Sequence, residues 1–222
     1  MNADQRAALQ KAVLFQGMSD EEFASLVSCL SPRVKHFTKN EIMLLTGDPV
    51  QHIGVMLCGA AHAYLEHIDG SQTLMADLES GRVFGEVLVS TGTHQSPVTI
   101  YAASDVTAAF IEYRKVYSFC TAACFAHRVF LQNMLKAIGD KYFNLFDRIN
   151  ILSEKPLRAR IMAYLYTLSD NGKSSVVTIP FTKTMLADYL LADRCALSKE
   201  LRKMERDGII AVNRRNVEIK NI

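Results

Sequence analysis

Residues 182–206 read TKTMLADYLLADRCALSKELRKMER. Thr182 to Leu190 carries a short helical pattern, Leu191-Ala192-Asp193 interrupts it, and a second helix is predicted from Arg194 to about Arg206. Asp193 is a good N-cap, because its carboxylate accepts from backbone donors that the first helical turn leaves free. Leu197, Leu201 and Met204 recur at i, i+4 and i+7 and give that helix one buried side. Arg194, Ser198, Lys199 and Arg202 fall toward the other side. Ala187 is a small residue where two helices must approach closely. Gly208-Ile209-Ile210-Ala211-Val212 and Asn216-Val217-Glu218-Ile219 then read as two strands around Asn213-Arg214-Arg215, a wing. A helix, a short turn and a basic second helix form the pattern that sets a recognition helix in a DNA groove. Wing arginines reach phosphates in such a pattern. The alternative is a small basic helical domain with solvated charges.

Upstream, Leu131, Leu135, Ile138, Tyr142, Leu145, Ile149 and Leu152 step by 4, 3, 4, 3, 4 and 3 residues. That spacing predicts a long helix whose seam pairs with another helix. A second stripe, Phe130, Met134, Ala137 and Phe143 or Phe146, lies on a neighbouring face. One helix with two apolar faces packs on its own domain and on a second copy of the chain, so a homodimer is expected; a fully buried core helix is the alternative. Ser153-Glu154-Lys155-Pro156 then punctuates the chain. Ser153 is read as the cap of a new helix and Pro156 as a residue of its first turn, where no donor is needed. A helix Leu157–Leu168, a turn at Ser169-Asp170-Asn171-Gly172, a short strand Val176–Ile179 and a stop at Pro180 follow.

From about 33 to 112 the pattern is one of short β runs. Glycines at 47, 59, 70, 81 and 92 are spaced by 12, 11, 11 and 11, which marks an all-β sandwich or barrel. Asp69-Gly70 is the best hairpin turn. Residues 10–30 read as short helices, with Ser19-Asp20-Glu21-Glu22 opening one that carries Phe23, Leu26, Val27 and Leu30.

The 222 residues are 49% hydrophobic and 22% charged, which excludes disorder as the main state. No run approaches the ~20 apolar residues of a membrane span, so no membrane association is expected. Met1 to Gln10 is polar, with Asp4 and Arg6, and does not read as a secretory signal. The five Cys, 29, 58, 120, 124 and 195, are an odd set in a chain too large to need staples; reduced thiols in the cytoplasm are expected. The net charge of +2 hides an asymmetry. Residues 1–152 carry 12 Lys/Arg against 15 Asp/Glu, and residues 153–222 carry 13 against 8. A basic end on an acidic body suits a polyanionic partner.

The order of β domain, long helix and winged helix-turn-helix resembles the cyclic-AMP receptor protein/FNR (Crp/Fnr) family of bacterial transcription regulators. The resemblance covers nearly the whole chain. It is carried by Phe84-Gly85-Glu86, the long helix, Leu186-Ala187-Asp188-Tyr189-Leu190, and Leu201-Arg202-Lys203-Met204-Glu205-Arg206-Asp207-Gly208-Ile209-Ile210. It implies an α+β class: a β-roll of the cyclic-nucleotide-binding, jelly-roll kind with N-terminal helices over 1–115, a dimerisation-helix region over 116–152, and a winged helix-turn-helix domain over 153–222. It further implies a non-enzymatic homodimer bound to double-stranded DNA at a two-fold operator, with RNA polymerase as a further partner. The candidate DNA-contacting residues are Thr182, Lys183, Asp193, Arg194, Cys195, Ser198, Lys199, Arg202, Arg214 and Arg215. Two departures stand out. The family often has Gly in the turn, where this chain has Leu191. Many members read a G·C pair with a recognition-helix Glu that accepts from cytosine, and ungapped matching puts Cys195 there. Cys cannot make that contact.

In cyclic-nucleotide-binding relatives, residues matching Gly85 and Glu86 hold phosphate and ribose, and an Arg about ten residues later, usually followed by Ser, neutralises the phosphate. Ungapped matching puts Ser96 at the Arg and Pro97 at the Ser, and no Arg or Lys lies between Val83 and Tyr113. Pro97 also removes a backbone donor. Positions that meet adenine in those relatives appear as Leu145 and Phe146. Burying a cyclic phosphate without a cation is costly, so cyclic AMP and cyclic GMP are not expected as effectors. A less charged ligand, such as a phenol or a small organic acid, or no ligand with Gly85-Glu86 kept as turn architecture, remains open. Haem would use His62, His67 or His94, with no spacing that selects one. An iron–sulfur cluster of the FNR kind needs clustered N-terminal Cys, and only Cys29 lies in the first 50 residues. Cys120 and Cys124, at i and i+4, are close enough to share a metal or redox event. A cupin-like metal enzyme would draw on His62, Glu66 and His67, but the paired His-x-His of that family is missing.

Overall fold

The computed structural model describes residues 1–91, 95–117, 125–170 and 172–220. His94, Cys120 and Cys124 therefore lie outside the described residues, as do Gly92 and Asn171 of the expected turns. The chain divides into two compact units, Met1–Lys141 and Tyr142–Ile222.

The first unit opens with α1 (Ala3–Lys11), capped by Asn2, and α2 (Asp20–Leu30). Ser19 and Glu22 form a reciprocal capping box: Ser19 Oγ accepts from Glu22 N, and the Glu22 carboxylate accepts from Ser19 N. Among the described residues eight strands follow: β1 (Arg33–Phe37), β2 (Ile42–Leu44), β3 (His52–Cys58), β4 (Ala61–Glu66), β5 (Gln72–Leu78), β6 (Val83–Phe84), β7 (Thr99–Ala102) and β8 (Val106–Glu112). They form two antiparallel sheets, ordered β1-β8-β3-β6 and β2-β7-β4-β5. Asp69-Gly70 turns the β4–β5 hairpin as expected. A six-residue helix, α3 (Glu86–Thr91), interrupts the strands, which the turn spacing did not anticipate. It is followed after β8 by α4 (Tyr113–Tyr117) and then by α5 (Phe125–Ser153).

Strand β3 shows why its run is apolar throughout. Ile53, Val55 and Leu57 enter a core shared with the helices, while Met56 enters the space between the two sheets. Gly54 is required there, since a Cβ would fall 2.1 Å from Phe84 Cζ. The helical core is built on Phe15, whose ring stands edge-on to Phe23 and to Phe130 of α5, with centroids 5.3 Å apart in both cases. Met134 and Ala137 of α5 are buried in the same core. The second stripe therefore packs on its own β domain as expected, but Phe143 and Phe146 do not belong to it; both are exposed. The next residue of that 4-3-4 stripe is Lys141.

In the second unit, α5 ends and is followed by α6 (Leu157–Leu168), β9 (Val176–Thr178), α7 (Lys183–Tyr189), α8 (Arg194–Arg206), β10 (Ile210–Asn213) and β11 (Asn216–Ile219). The strands order β10-β11-β9. Ser153 is not the cap of α6. It is the last residue of α5, and its hydroxyl donates back to Asn150 O, a local bond that Ser side chains make to a preceding turn. Pro156 is itself the N-cap residue of α6, extended at φ −71°, where its missing donor costs nothing. Ile161, Leu165, Leu186, Leu190, Leu197, Leu201 and Met204 form the core, closed by Ile151 of α5 and by Ile210 and Val217 of the wing strands. Arg158 ties α6 to α8, with Nε 2.6 Å from Glu200 and Nη2 2.7 Å from Asp207.

Gly85 joins β6 to α3 at φ +82°, and a Cβ there would lie 2.8 Å from His52 O and 3.2 Å from Val50 Cγ1. Gly85→Ala combines left-handed strain with a backbone clash. It is expected to destabilise the protein by on the order of 2–4 kcal/mol in urea denaturation.

Candidate nucleic-acid interface and sensor site

Helices α7 and α8 are fixed by caps at both starts. Thr182 Oγ1 accepts from Met185 N at 3.3 Å, and Asp193 Oδ1 accepts from Ala196 N at 2.8 Å. Ala187 is buried at their crossing, where a larger side chain would hold the helices apart. Leu191 takes the left-handed conformation of the turn at φ +50°, the conformation for which Gly carries no penalty. The turn is closed by Ala192 N donating to Ala187 O and Leu191 N to Asp188 O.

With Leu197, Leu201 and Met204 buried, Arg194, Cys195, Lys199 and Arg202 stand exposed on the opposite side of α8, and Ser198 is half-buried beside them. These five residues line one open concave surface together with Glu205 and Arg206. Arg206, at i+4 from Arg202, was readable from the helical period and was missed. Glu205 Oε1 accepts from Val212 N at 3.0 Å and so ties α8 to β10. Thr182 and Lys183 gather with Arg214 and Arg215 in a second, smaller cleft between α7 and the wing. Arg214 turns the wing hairpin at φ +56°. The ten candidate DNA residues thus fall into two groups, with Asp193 at the helix start as the cap.

On α5 the seam residues Leu135 (67% exposed), Tyr142 (62%), Leu145 and Ile149 are bare. Leu131 and Ile138 are partly buried against the first core, and Leu152 is half-buried. Nearby, Arg148 stacks over the Tyr189 ring at 4.7 Å, and burial lowers the Arg148 pKa and raises that of Tyr189. Burial likewise holds the Tyr164 phenol well above its ordinary range, among the rings of Phe181 and Tyr189.

In the first unit, Glu86 is fully buried, and its Oε1 lies 2.5 Å from Lys141 Nζ. The contact meets ion-pair distance but not hydrogen-bond angles, so neither carboxylate oxygen is hydrogen-bonded among the described residues. Lys141 Nζ donates to Val83 O at 2.9 Å. Lys141 escaped the sequence reading because it lies 55 residues beyond Glu86. Ser96 is buried, but its hydroxyl is occupied locally, donating to Val98 O at 2.6 Å and accepting from Val98 N at 3.3 Å. Pro97 is exposed. Leu145 and Phe146 belong to the second unit and are exposed.

The remaining candidates are engaged elsewhere. His62 Nδ1 pairs with Asp77 Oδ1 at 3.1 Å, Glu66 accepts from the Tyr101 hydroxyl, and His67 Nε2 lies 2.8 Å from Thr73 Oγ1. Among the described residues no three His, Cys, Asp or Glu side chains gather as metal ligands.

Two family models match: the Cyclic nucleotide-binding domain over residues 34–123 and the Crp-like helix-turn-helix domain over residues 159–222. The chain belongs to the Crp/Fnr family. It is a DNA-binding transcription regulator of the Crp/Fnr type, and the enzyme alternative finds no support. No curated protein matches it. Solved Crp/Fnr structures share the fold. FixK2 of Bradyrhizobium japonicum is 18% identical over 86% of this chain and 93% of its own, with a TM-score of 0.62. A CooA mutant of Carboxydothermus hydrogenoformans is 22% identical over 87% and 86%, at 0.69. The c-di-GMP responsive regulator CLP of Xanthomonas campestris is 16% identical over 90% and 100%, at 0.67.

Asp193→Ala removes the N-terminal side-chain cap of α8 and is expected to lower stability by about 1 kcal/mol, read by thermal denaturation.

Proposed function

We propose that this regulator binds a two-fold DNA operator as a homodimer, reading bases through α8 and phosphates through the wing, under an effector that is not a cyclic nucleotide. The observation that carries this reading is the exposed set Arg194, Cys195, Ser198, Lys199 and Arg202 on one side of a helix whose other side is buried. Arg194 and Lys199 contact bases or the groove, and Arg214 and Arg215 contact phosphates beside Thr182 and Lys183. Two-fold protein symmetry gives half-sites about one helical turn apart, ~10–11 base pairs. Cys195 offers no acceptor comparable to a carboxylate, so the family's usual cytosine contact is replaced at that base pair. The bound dimer acts on RNA polymerase in the cytoplasm. Among the described residues no helix is long and apolar enough to cross a membrane, and Cys29, Cys58 and Cys195 are free thiols.

The exposed seam supports the homodimer. Four large apolar side chains, Leu135, Tyr142, Leu145 and Ile149, share one helix face, and burying each against a partner is favourable by about 1.5–3 kcal/mol before association costs. Cyclic nucleotides fit the first unit poorly. Ser96 spends its hydroxyl on Val98, Pro97 has no donor, and the cation that reaches Glu86 is already paired with it. A neutral hydroxyl is a much weaker anion partner than a charged donor.

Binding assays on operator and random DNA test the role assignment. Arg194→Ala is expected to cost about 1–3 kcal/mol on operator and to relax specificity. Arg215→Ala should weaken both DNAs alike and flatten the salt dependence. Identical behaviour of the two variants would overturn the assignment.

Light scattering tests the seam: Leu135→Glu with Tyr142→Glu is expected to give monomers, and an unchanged dimer would refute it. Calorimetry with cyclic AMP and cyclic GMP is expected to show no micromolar binding.

A further inference from the structure

A buried carboxylate demands a cation, and Glu86 has one from an unusual source. No Lys or Arg occurs between Val83 and Tyr113, so the β domain supplies none from the surrounding sequence. The cation comes from α5. Lys141 continues the buried stripe of Phe130, Met134 and Ala137 and carries its ammonium to Glu86 Oε1 and Val83 O. The fit is incomplete. Lys141 reaches one carboxylate oxygen at ion-pair distance outside hydrogen-bond angles, and Oε2 has no hydrogen-bond partner among the described residues. The lysine side chain is 41% exposed while Glu86 is 0% exposed, so one end of the pair is open to water.

We propose that Lys141 is the resident ligand of Glu86, and that an external effector of this site is a small primary amine that takes the lysine's place. The inference rests on the reading above, in which the effector is not a cyclic nucleotide. Three facts select the class. A displacing molecule must bring positive charge, because Glu86 without a cation is an uncompensated buried charge. An ammonium has three donors, enough for Oε1, Oε2 and Val83 O together. A free amine is not held by a helix at one approach angle, so it can satisfy the oxygen that Lys141 leaves bare. A carboxylate or phosphate would place a second negative charge beside Glu86. An alcohol can reach Oε2 but cannot replace the charge. The tethered lysine competes at high effective concentration, so the intact site takes amines weakly and removal of the lysine unmasks it.

The test uses the full chain without DNA, at constant pH and ionic strength. Lys141→Ala removes Cγ, Cδ, Cε and Nζ, the atoms that n-propylammonium reproduces. The variant is expected to melt at lower temperature than wild type and to bind n-propylammonium about tenfold tighter or better, by calorimetry, with recovery of the melting temperature. 1-Propanol and propionate at equal concentration should give no recovery. The double variant Glu86→Gln/Lys141→Ala should lose the amine response. An equal response in the double variant, equal recovery with propanol or propionate, or no gain in amine affinity over wild type would overturn the proposal. Should Lys141→Ala fail to fold, n-butylammonium is titrated into wild type and Glu86→Gln: binding confined to wild type supports the site, and binding equal in both refutes it. Cyclic AMP in the same calorimeter reads the underlying effector assignment separately, and operator binding by wild type reads the regulator, so either can fail while the amine result stands or falls by itself.

Discussion

The burial of Phe130, Met134 and Ala137 in the first core decides what the rest of α5 is able to do. Each large side chain in such a core is worth about 1.5–3 kcal/mol relative to exposure, and Phe130 adds an edge-on contact with Phe15. With that stripe committed, helical geometry leaves no freedom for the others. At 3.6 residues per turn, Leu135, Tyr142 and Ile149 lie about a quarter to a third of a turn around the helix from the stripe. In this chain the first core takes the stripe and only the edge of the seam, at Leu131 and Ile138. The exposed apolar seam is therefore a consequence of the first core, and it is the feature on which the proposed homodimer rests.

Much of this was legible in the sequence because it is local. The Ser19 and Glu22 box, the Asp193 cap and the bounds of α6 and α8 follow from capping chemistry and a 3.6-residue period, which act within a few residues. The Arg214-Arg215 turn of the wing follows from equally local strand signals. What was not legible is of two kinds. Ser153 and Pro156 lie at the junction of two helices, where Ser can serve the helix before it or the one after it; Ile151 is packed in the second core, and α5 runs on to Ser153. Phe143 and Phe146 are apolar at plausible spacing, but the stripe they were assigned to continues at Lys141. The ion pair itself joins residues 55 positions apart, and no pattern within one element announces it.

The two units divide the electrostatic work as the sequence charge suggested. In the second unit Arg158 of α6 takes Glu200 and Asp207, on the side of α8 away from Arg194, Lys199 and Arg202. With those carboxylates on the other side of the helix, the field of Arg194, Lys199 and Arg202 is less opposed on the exposed side. In the first unit the balance is reversed: a buried acid lies in a stretch devoid of cations, and the charge is made good from a distant helix. Among the described residues, the cation that reaches this site is already paired with Glu86.

Lys141 and Tyr142 are consecutive residues of one continuous helix, the first on the stripe that ends in an ion pair and the second on the exposed seam. A ligand can change the behaviour of that helix only if it binds one state of Lys141 better than the other. Pulling the lysine away with nothing in return costs about 3–5 kcal/mol, the penalty for stranding a buried charge, which keeps the paired state dominant without an effector. A neutral or anionic molecule does not lower that penalty, because the charge of Glu86 remains. A cation does, and Lys141, whose pairing it would replace, is the residue before Tyr142 of the exposed seam. The charge selectivity proposed for the site thus has its origin in a carboxylate too deeply buried to be left alone.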